Sequence, residues 1–240
     1  MPPNSLTPRA PQPDKTLLTA WLLLLLRTGE HHGWSLRTQL TQRGIVVDGA
    51  RIYRHLRELE SEGALASRWT ASVGGPKRRC YRLAGAGEAR LEELAATISA
   101  SCKLYAEFVE AHQHGDGGGA PPAEQDAASA PKMGRELVAA WLLLLLDHQA
   151  SYGYDLRQAL RAHHVNPDPG TLYRVLRQLD DAGWLQSRWT DSASGPRRRL
   201  YRVTAKGRRN LVELAALITG LRDTHSAFLQ EYEAGAQAVG

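Results

Sequence analysis

The sequence predicts a mainly α-helical protein with small β-hairpins, arranged as a tandem winged helix-turn-helix in which each unit is followed by a long C-terminal helix of the dimerisation type. Three observations predict it. The chain aligns with itself, without a gap, at an offset of 120 residues. Each copy places three helical segments ahead of two alternating strands. The strands enclose a Gly-Pro tip followed by consecutive cations.

The repeat comes first because it sets the domain count. Trp21-Leu22-Leu23-Leu24-Leu25-Leu26 returns as Trp141-Leu142-Leu143-Leu144-Leu145-Leu146, and Ser67-Arg68-Trp69-Thr70 returns as Ser187-Arg188-Trp189-Thr190. About half the positions from 20 to 83 match their partners, which marks a duplication. The expected organisation is an N-terminal disordered segment at 1–14, a first unit at 15–112, a flexible linker at 113–134 and a second unit at 135–234. The linker is rich in Gly, Pro, Ala and acids and lacks hydrophobic periodicity.

Within a copy, Lys15 to Arg27 is apolar nearly all round, as a buried central helix is. Gly33-Trp34 punctuates, and Ser35 to Gln42 makes a short second helix. Asp48 and Asp168 suit the N-cap of a third helix that stops near Gly63 and Gly183. Its apolar face holds Ile52, Leu56 and Leu59, and the opposite face is expected to carry Arg51, Arg54, His55 and Glu58. Two alternating runs around Gly74-Gly75-Pro76 form a hairpin. A helix from about Ala86 to His112 then repeats Leu91, Leu94, Ala95, Ile98, Cys102, Tyr105 and Val109 at three-four spacing, a seam for a partner helix.

Charge narrows the function. The chain carries a formal +5, yet residues 64–90 hold +5 and residues 184–210 hold +7, leaving the rest at −7. Two such footprints fit a polyanion. In the winged-helix geometry the third helix enters the major groove and the hairpin follows the backbone. The candidate contacts to double-stranded DNA are Arg51, Tyr53, Arg54 and Arg57 on the first third helix, and Thr171, Tyr173, Arg174 and Arg177 on the second. Arginine pairs with guanine in bidentate fashion, and hydroxyls suit phosphates and base edges. The hairpins add Lys77, Arg78 and Arg79, and Arg197, Arg198 and Arg199. Three successive cations repel one another unless phosphates neutralise them.

A ligand-sensing reading comes from a different set. Trp21 and Trp141 lie on the first helices, although core packing accounts for most of the six tryptophans. At the seam Cys102 aligns with Arg222 and Tyr105 with His225, so Arg222 and His225 offer cations to an anionic ligand. Other classes find little support. There is no Gly-rich phosphate loop, no G-x-S-x-G elbow and no H-E-x-x-H, so no enzyme and no cofactor are expected. The histidines lack metal-ligand spacing, and no metal is expected. The longest apolar run, Leu17 to Leu26, is about half a membrane span, and no signal peptide pattern opens the chain. Two cysteines at no diagnostic spacing fit a reducing cytoplasm.

These residues resemble the PadR family of transcriptional regulators. The resemblance lies in the leucine-rich helix before Gly33-Trp34-Ser35-Leu36 and Gly153-Tyr154-Asp155-Leu156. It continues in Arg51-Ile52-Tyr53-Arg54-His55-Leu56 and Thr171-Leu172-Tyr173-Arg174-Val175-Leu176, and in the wing Gly75-Pro76-Lys77-Arg78-Arg79-Cys80-Tyr81-Arg82-Leu83. It covers nearly all of both copies. It implies a bacterial, nucleoid-associated repressor, dimeric through the last helix, on a near-palindromic operator. It also implies release by a small, often aromatic compound bound between the first and last helices. The chain departs in carrying two units covalently, and in having Gly49-Ala50-Arg51 where copy two keeps Pro169-Gly170-Thr171. The expectation is an intramolecular pseudo-dimer, monomeric as a chain, that places two reading helices about one DNA turn (~34 Å) apart on an asymmetric operator.

Overall fold

The computed structural model describes residues 13–72, 75–115, 134–192 and 195–237. Most of the expected disordered segment 1–14 and of the expected linker 113–134, with Gly74 of the hairpin tip, lies outside the described residues.

In the first repeat, α1 (Lys15–Arg27) leads to β1 (His31–His32), α2 (Gly33–Gln42), α3 (Gly49–Ser61), β2 (Leu65–Ser72), β3 (Gly75–Leu83) and α4 (Gly85–His114). The second repeat runs α5 (Arg135–His148), β4 (Ser151–Tyr152), α6 (Gly153–Ala162), α7 (Pro169–Asp181), β5 (Leu185–Ser192), β6 (Gly195–Val203) and α8 (Ala205–Gln237). Asp48 and Asp168 cap α3 and α7 as expected, Asp48 accepting from the Arg51 N–H at 3.3 Å, and Asp14 also caps α1. Asp14 accepts from the Leu17 N–H at 2.7 Å and Asp168 from the Thr171 N–H at 2.9 Å. The Thr171 hydrogen bonds hold the Asp168 carboxyl below its usual range.

Each hairpin gains a third strand that periodicity did not reveal. The sheets are ordered β1-β3-β2 and β4-β6-β5, with His31 opposite Tyr81 and Ser151 opposite Tyr201. Two residues are too few to show alternation. The His31-His32 pair is therefore an edge strand, and the His32 Nδ1 caps α2 by accepting from the Ser35 N–H at 2.9 Å. The position that follows α2 needs a left-handed backbone. Gly44 supplies it in copy one (φ 76°), whereas His164 adopts it in copy two (φ 55°).

Two compact units divide the described chain, and the boundaries between them fall within α4 and α8. The unit on the first repeat takes in residues up to Ser99 together with Thr224 onward. Its core joins α1, Leu36, Leu40, Ile52, Leu56 and Leu91 to Phe228 of α8. The unit on the second repeat spans Ala100–Asp223, and its core joins α5, Leu156, Leu172 and Leu211 to Phe108 and Val109 of α4. Each winged helix is thus completed by the end of the other repeat's long helix. The rings repeat one geometry: Phe228 meets Trp21 edge-on at 5.3 Å, and Phe108 meets Trp141 edge-on at 5.4 Å.

Two expectations are corrected. His55 is buried rather than exposed beside Arg54, as is Val175 at the matching position of α7. Positions 52, 55, 56 and 59 share one stripe at helical spacing, so His55 turns inward, where its Nε2 lies 2.7 Å from the Thr19 hydroxyl. Trp34, Trp69 and Trp189 are not core. They are 66%, 66% and 63% exposed: Trp34 opens the first turn of α2, and Trp69 and Trp189 lie on hairpin strands beyond the reach of the core.

Candidate nucleic-acid interface

The candidate surface of each repeat is built from the first turn of α2 or α6, the outer face of α3 or α7, and the hairpin. On α3, Tyr53, Arg54 and Arg57 point to solvent, as Tyr173, Arg174 and Arg177 do on α7. Tyr53 and Tyr173 are seated by glycine. A methyl group on Gly33 or Gly153 would collide with the tyrosine ring, so the absence of a Cβ there lets the ring lie against the start of the second helix. Arg57 Nε donates to the Tyr53 carbonyl at 3.3 Å.

Helices α3 and α7 differ in their first turn. The N–H of Arg51 and of Thr171 each donates to the capping Asp three residues before it, but Arg51 is half-buried and its Nη2 also donates to the Pro13 carbonyl at 2.9 Å. Arg51 is thereby tied to the chain ahead of α1, and it presents less of its guanidinium than the polarity of the sequence implies.

The three hairpin cations are not equivalent. Lys77 and Arg78 are exposed, and Arg78 Nη1 lies 3.4 Å from His32 Nε2. Arg79 turns inward. It donates to Glu60 at 2.7 Å and to the Ser67 hydroxyl at 2.8 Å, and its guanidinium lies over the Tyr81 ring. Arg199 repeats this clamp with Asp180 at 2.6 Å, Ser187 at 2.8 Å and the Tyr201 ring. These two arginines tie each hairpin to the end of the helix before it. Burial raises the Tyr81 and Tyr201 phenols above their ordinary range, so both rings stay neutral under the arginines. Arg197 pairs with Asp191 at 2.8 Å on the exposed hairpin, and Arg198 points to solvent.

Between helix and hairpin lies a groove of about 780 Å³ in the first repeat, walled by Trp34, Tyr53, Trp69 and Arg78. Its counterpart of about 750 Å³ has Tyr154, Tyr173, Trp189 and Arg198. Sequence reasoning missed the aromatic half of this surface. Trp69 stands opposite Arg79 across the strands, on the inner face that also holds Leu65 and Ser67. The alternation is intact, but the core ends before it reaches Trp69. The matching pattern at Trp189 was the available signal, since two copies kept an aromatic with no core to fill.

The residues suggested for a ligand are divided between the units. Trp21 and His225 are buried in the first, while Tyr105, Trp141 and Arg222 belong to the second. Trp141 stacks on His163 at 4.1 Å, and the Arg43 guanidinium lies 5.5 Å above Trp21. Neither buried indole N–H finds an acceptor. Tyr105 packs against the second core, and Arg222 pairs with Asp223 at 2.7 Å. Among the described residues no three His, Cys, Asp or Glu side chains gather as metal ligands, and no helix is long and apolar enough to cross a membrane.

The sequence matches the family model described as the Transcriptional regulator PadR-like family twice, at residues 22–93 and 142–213. Among solved structures, a PadR-like transcription factor from Bacteroides fragilis is 31% identical over 39% of this chain and 90% of its own, with a TM-score of 0.35. A PadR family transcriptional regulator from Eggerthella lenta is 33% identical over 40% of this chain and 83% of its own, with a TM-score of 0.36. The smu.1704 protein of Streptococcus mutans is 27% identical over 40% of this chain and 90% of its own, with a TM-score of 0.37. No curated protein matches the chain.

Proposed function

The chain belongs to the PadR-like family of DNA-binding transcriptional regulators, and we propose that it acts as a repressor whose two repeats form one intramolecular pseudo-dimer on an operator with two similar but unequal half-sites. The observation that carries this reading is the duplicated surface. Each repeat presents a Tyr, two outward Arg and an exposed hairpin cation around a groove, while the first turn of the reading helix differs, Arg51 against Thr171. Arg54, Arg57, Arg174 and Arg177 reach base edges, and Lys77, Arg78, Arg197 and Arg198 neutralise phosphates. Arg79 and Arg199 position the hairpins. The exchanged ends of α4 and α8 support the pseudo-dimer, because neither winged helix has its full core without the other repeat.

Selection of bound sequences from random DNA by the full chain tests the proposal. The expected motif has two half-sites that differ where Arg51 and Thr171 read. A perfect palindrome, with equal loss on altering either reading helix, would overturn it.

A second reading, release by a small aromatic or anionic ligand at the first and last helices, is favoured by the unpartnered indole N–H of Trp21 and of Trp141. Each is a buried donor that an acceptor-bearing ring would satisfy. A thermal-shift screen of aromatic carboxylates and nucleotide-like compounds tests it, with any hit expected to vanish in W21F or W141F.

A further inference from the structure

The ring pair at the centre of the exchanged contact is the same in both units, a Phe and a Trp meeting edge to face, and cannot tell one repeat from the other. The polar groups around it have diverged, and they have done so in matched pairs. In the first unit Arg43 grips Glu231 through both carboxylate oxygens, with three hydrogen bonds of 2.8–2.9 Å. The residue of α4 aligned with Glu231 is Ala111. In the second unit the residue aligned with Arg43 is His163, whose Nδ1 lies 3.2 Å from Glu107. The residue of α8 aligned with Glu107 is Ala227. The end of each long helix, its arm, thus has one carboxylate paired with the facing repeat, and Glu107 and Glu231 stand one helical turn apart in register. The long guanidinium faces the far one, and the short imidazole faces the near one.

A second divergence follows the same logic. Arg27 donates to the Tyr232 carbonyl at 3.0 Å, lies 4.9 Å from the centre of that ring and rests against Gly235, which has no side chain to block it. The residue aligned with Arg27 is Asp147, which has nothing to donate to a carbonyl. The ion pair each forms within its own repeat is inverted to suit: Arg27 with Glu88, but Asp147 with Arg208. On the arm of α4 the residue aligned with Tyr232 is His112, which stacks on Phe108.

We infer that the two docking surfaces are keyed, so that the first repeat accepts the end of α8, the second accepts the end of α4, and pairing between like repeats is disfavoured within one copy or across two. This rests on the pseudo-dimer reading and deepens it. The end of α8 on a second repeat would set Glu231 a turn beyond the imidazole and bring Asp147 against a carbonyl. The end of α4 on a first repeat would leave Ala111 where Arg43 finds its carboxylate. The occupant each surface fits is thus a particular segment of this chain.

The test is a swap in the full-length protein, read by urea unfolding without DNA, so that failure of operator recognition leaves it unaffected. A227E combined with E231A moves the carboxylate of α8 to the register of Glu107. It is expected to lower the folded-to-unfolded ratio by on the order of tenfold, the scale of a charge-assisted hydrogen-bonded pair. R43H alone is expected to cost a similar factor, yet R43H added to A227E/E231A should recover most of the loss by recreating the His163–Glu107 pair. Equal costs of R43H in both backgrounds, or no cost of the shift, overturn the key. Should a variant not fold, the wild-type chain nicked at a protease site placed within 116–133 tests the same key by native mass spectrometry. Complexes of one N-terminal with one C-terminal fragment are expected, and complexes of like fragments overturn it.

Discussion

Phe228 and Phe108 give the sharpest test of the exchanged helices, because each is predicted to hold together the unit built on the other repeat. Both rings are fully buried, and each sits edge-on to a tryptophan of a first helix. Truncating a fully buried Phe to Ala costs about 3–5 kcal/mol, of which the edge-to-face contact accounts for about 0.5–1.5. The end of a helix can settle inward and close part of the cavity, which favours the lower half of that range. About 3 kcal/mol corresponds to roughly a hundredfold rise in the opening constant of the affected unit. Hydrogen exchange with mass spectrometry reads this peptide by peptide. F228A should speed exchange by roughly that factor in residues 15–27 and leave 135–148 near the wild-type rate. F108A should do the reverse. If F228A loosened the α5 peptide and spared α1, each long helix would be completing its own repeat, and the reasoning from the shared cores would be refuted.

Two further outcomes follow from the side chains already placed. Burial lowers the His55 imidazole below its ordinary pKa, so the unfolded chain takes up this proton more readily than the native one. The stability linked to His55 is therefore whole above about pH 6.5, the unfolded value, and is lost as pH falls from there toward the native value. Lys15, Arg51, Glu58 and Glu62 face this group, and H55V, which copies Val175, should flatten the pH dependence of the thermal midpoint between pH 7.5 and 5.5 relative to wild type. At the hairpin, R78A should weaken binding to all DNA sequences and reduce the slope of log affinity against log salt by about one, the mark of one lost phosphate contact. R79A should instead lower affinity with the slope nearly unchanged, because its guanidinium is held by Glu60 and Ser67 and serves to hold the hairpin; a slope change equal to that of R78A would show that Arg79 touches phosphate.

Much of the fold was legible because its causes are local. The apolar helix from Lys15, the Asp caps and the alternation of Leu65, Ser67 and Trp69 are each decided by residues a few positions apart. The site was legible in its charge and less so in its geometry. Polarity placed His55 among the exposed residues of α3, yet its spacing from Ile52 and Leu59 puts it on the buried stripe, where Thr19 supplies the partner that lets a polar ring stay there. Polarity likewise weighted Arg78 and Arg79 alike, since consecutive strand residues differ only in the face they point to, and the inward one needed Glu60, nineteen positions away, to be recognised as a clamp.

The exchange of helix ends lies furthest from anything periodicity can report. Arg43 and Glu231 are 188 residues apart in sequence, and neither looks unusual in its own segment. The repeat nevertheless held the information in a form that single-copy reasoning cannot use. When two copies of one surface differ at the positions that touch the other repeat's arm, a change on one side can be matched by its answer on the other. Arg43 with Glu231 against His163 with Glu107 is such an answer within one chain. In a homodimer of a single unit every substitution falls on both sides at once, and such a key cannot arise. Fusion is the step that makes it possible, and the same freedom extends to the first turns of α3 and α7, where Arg51 and Thr171 need not be the same residue.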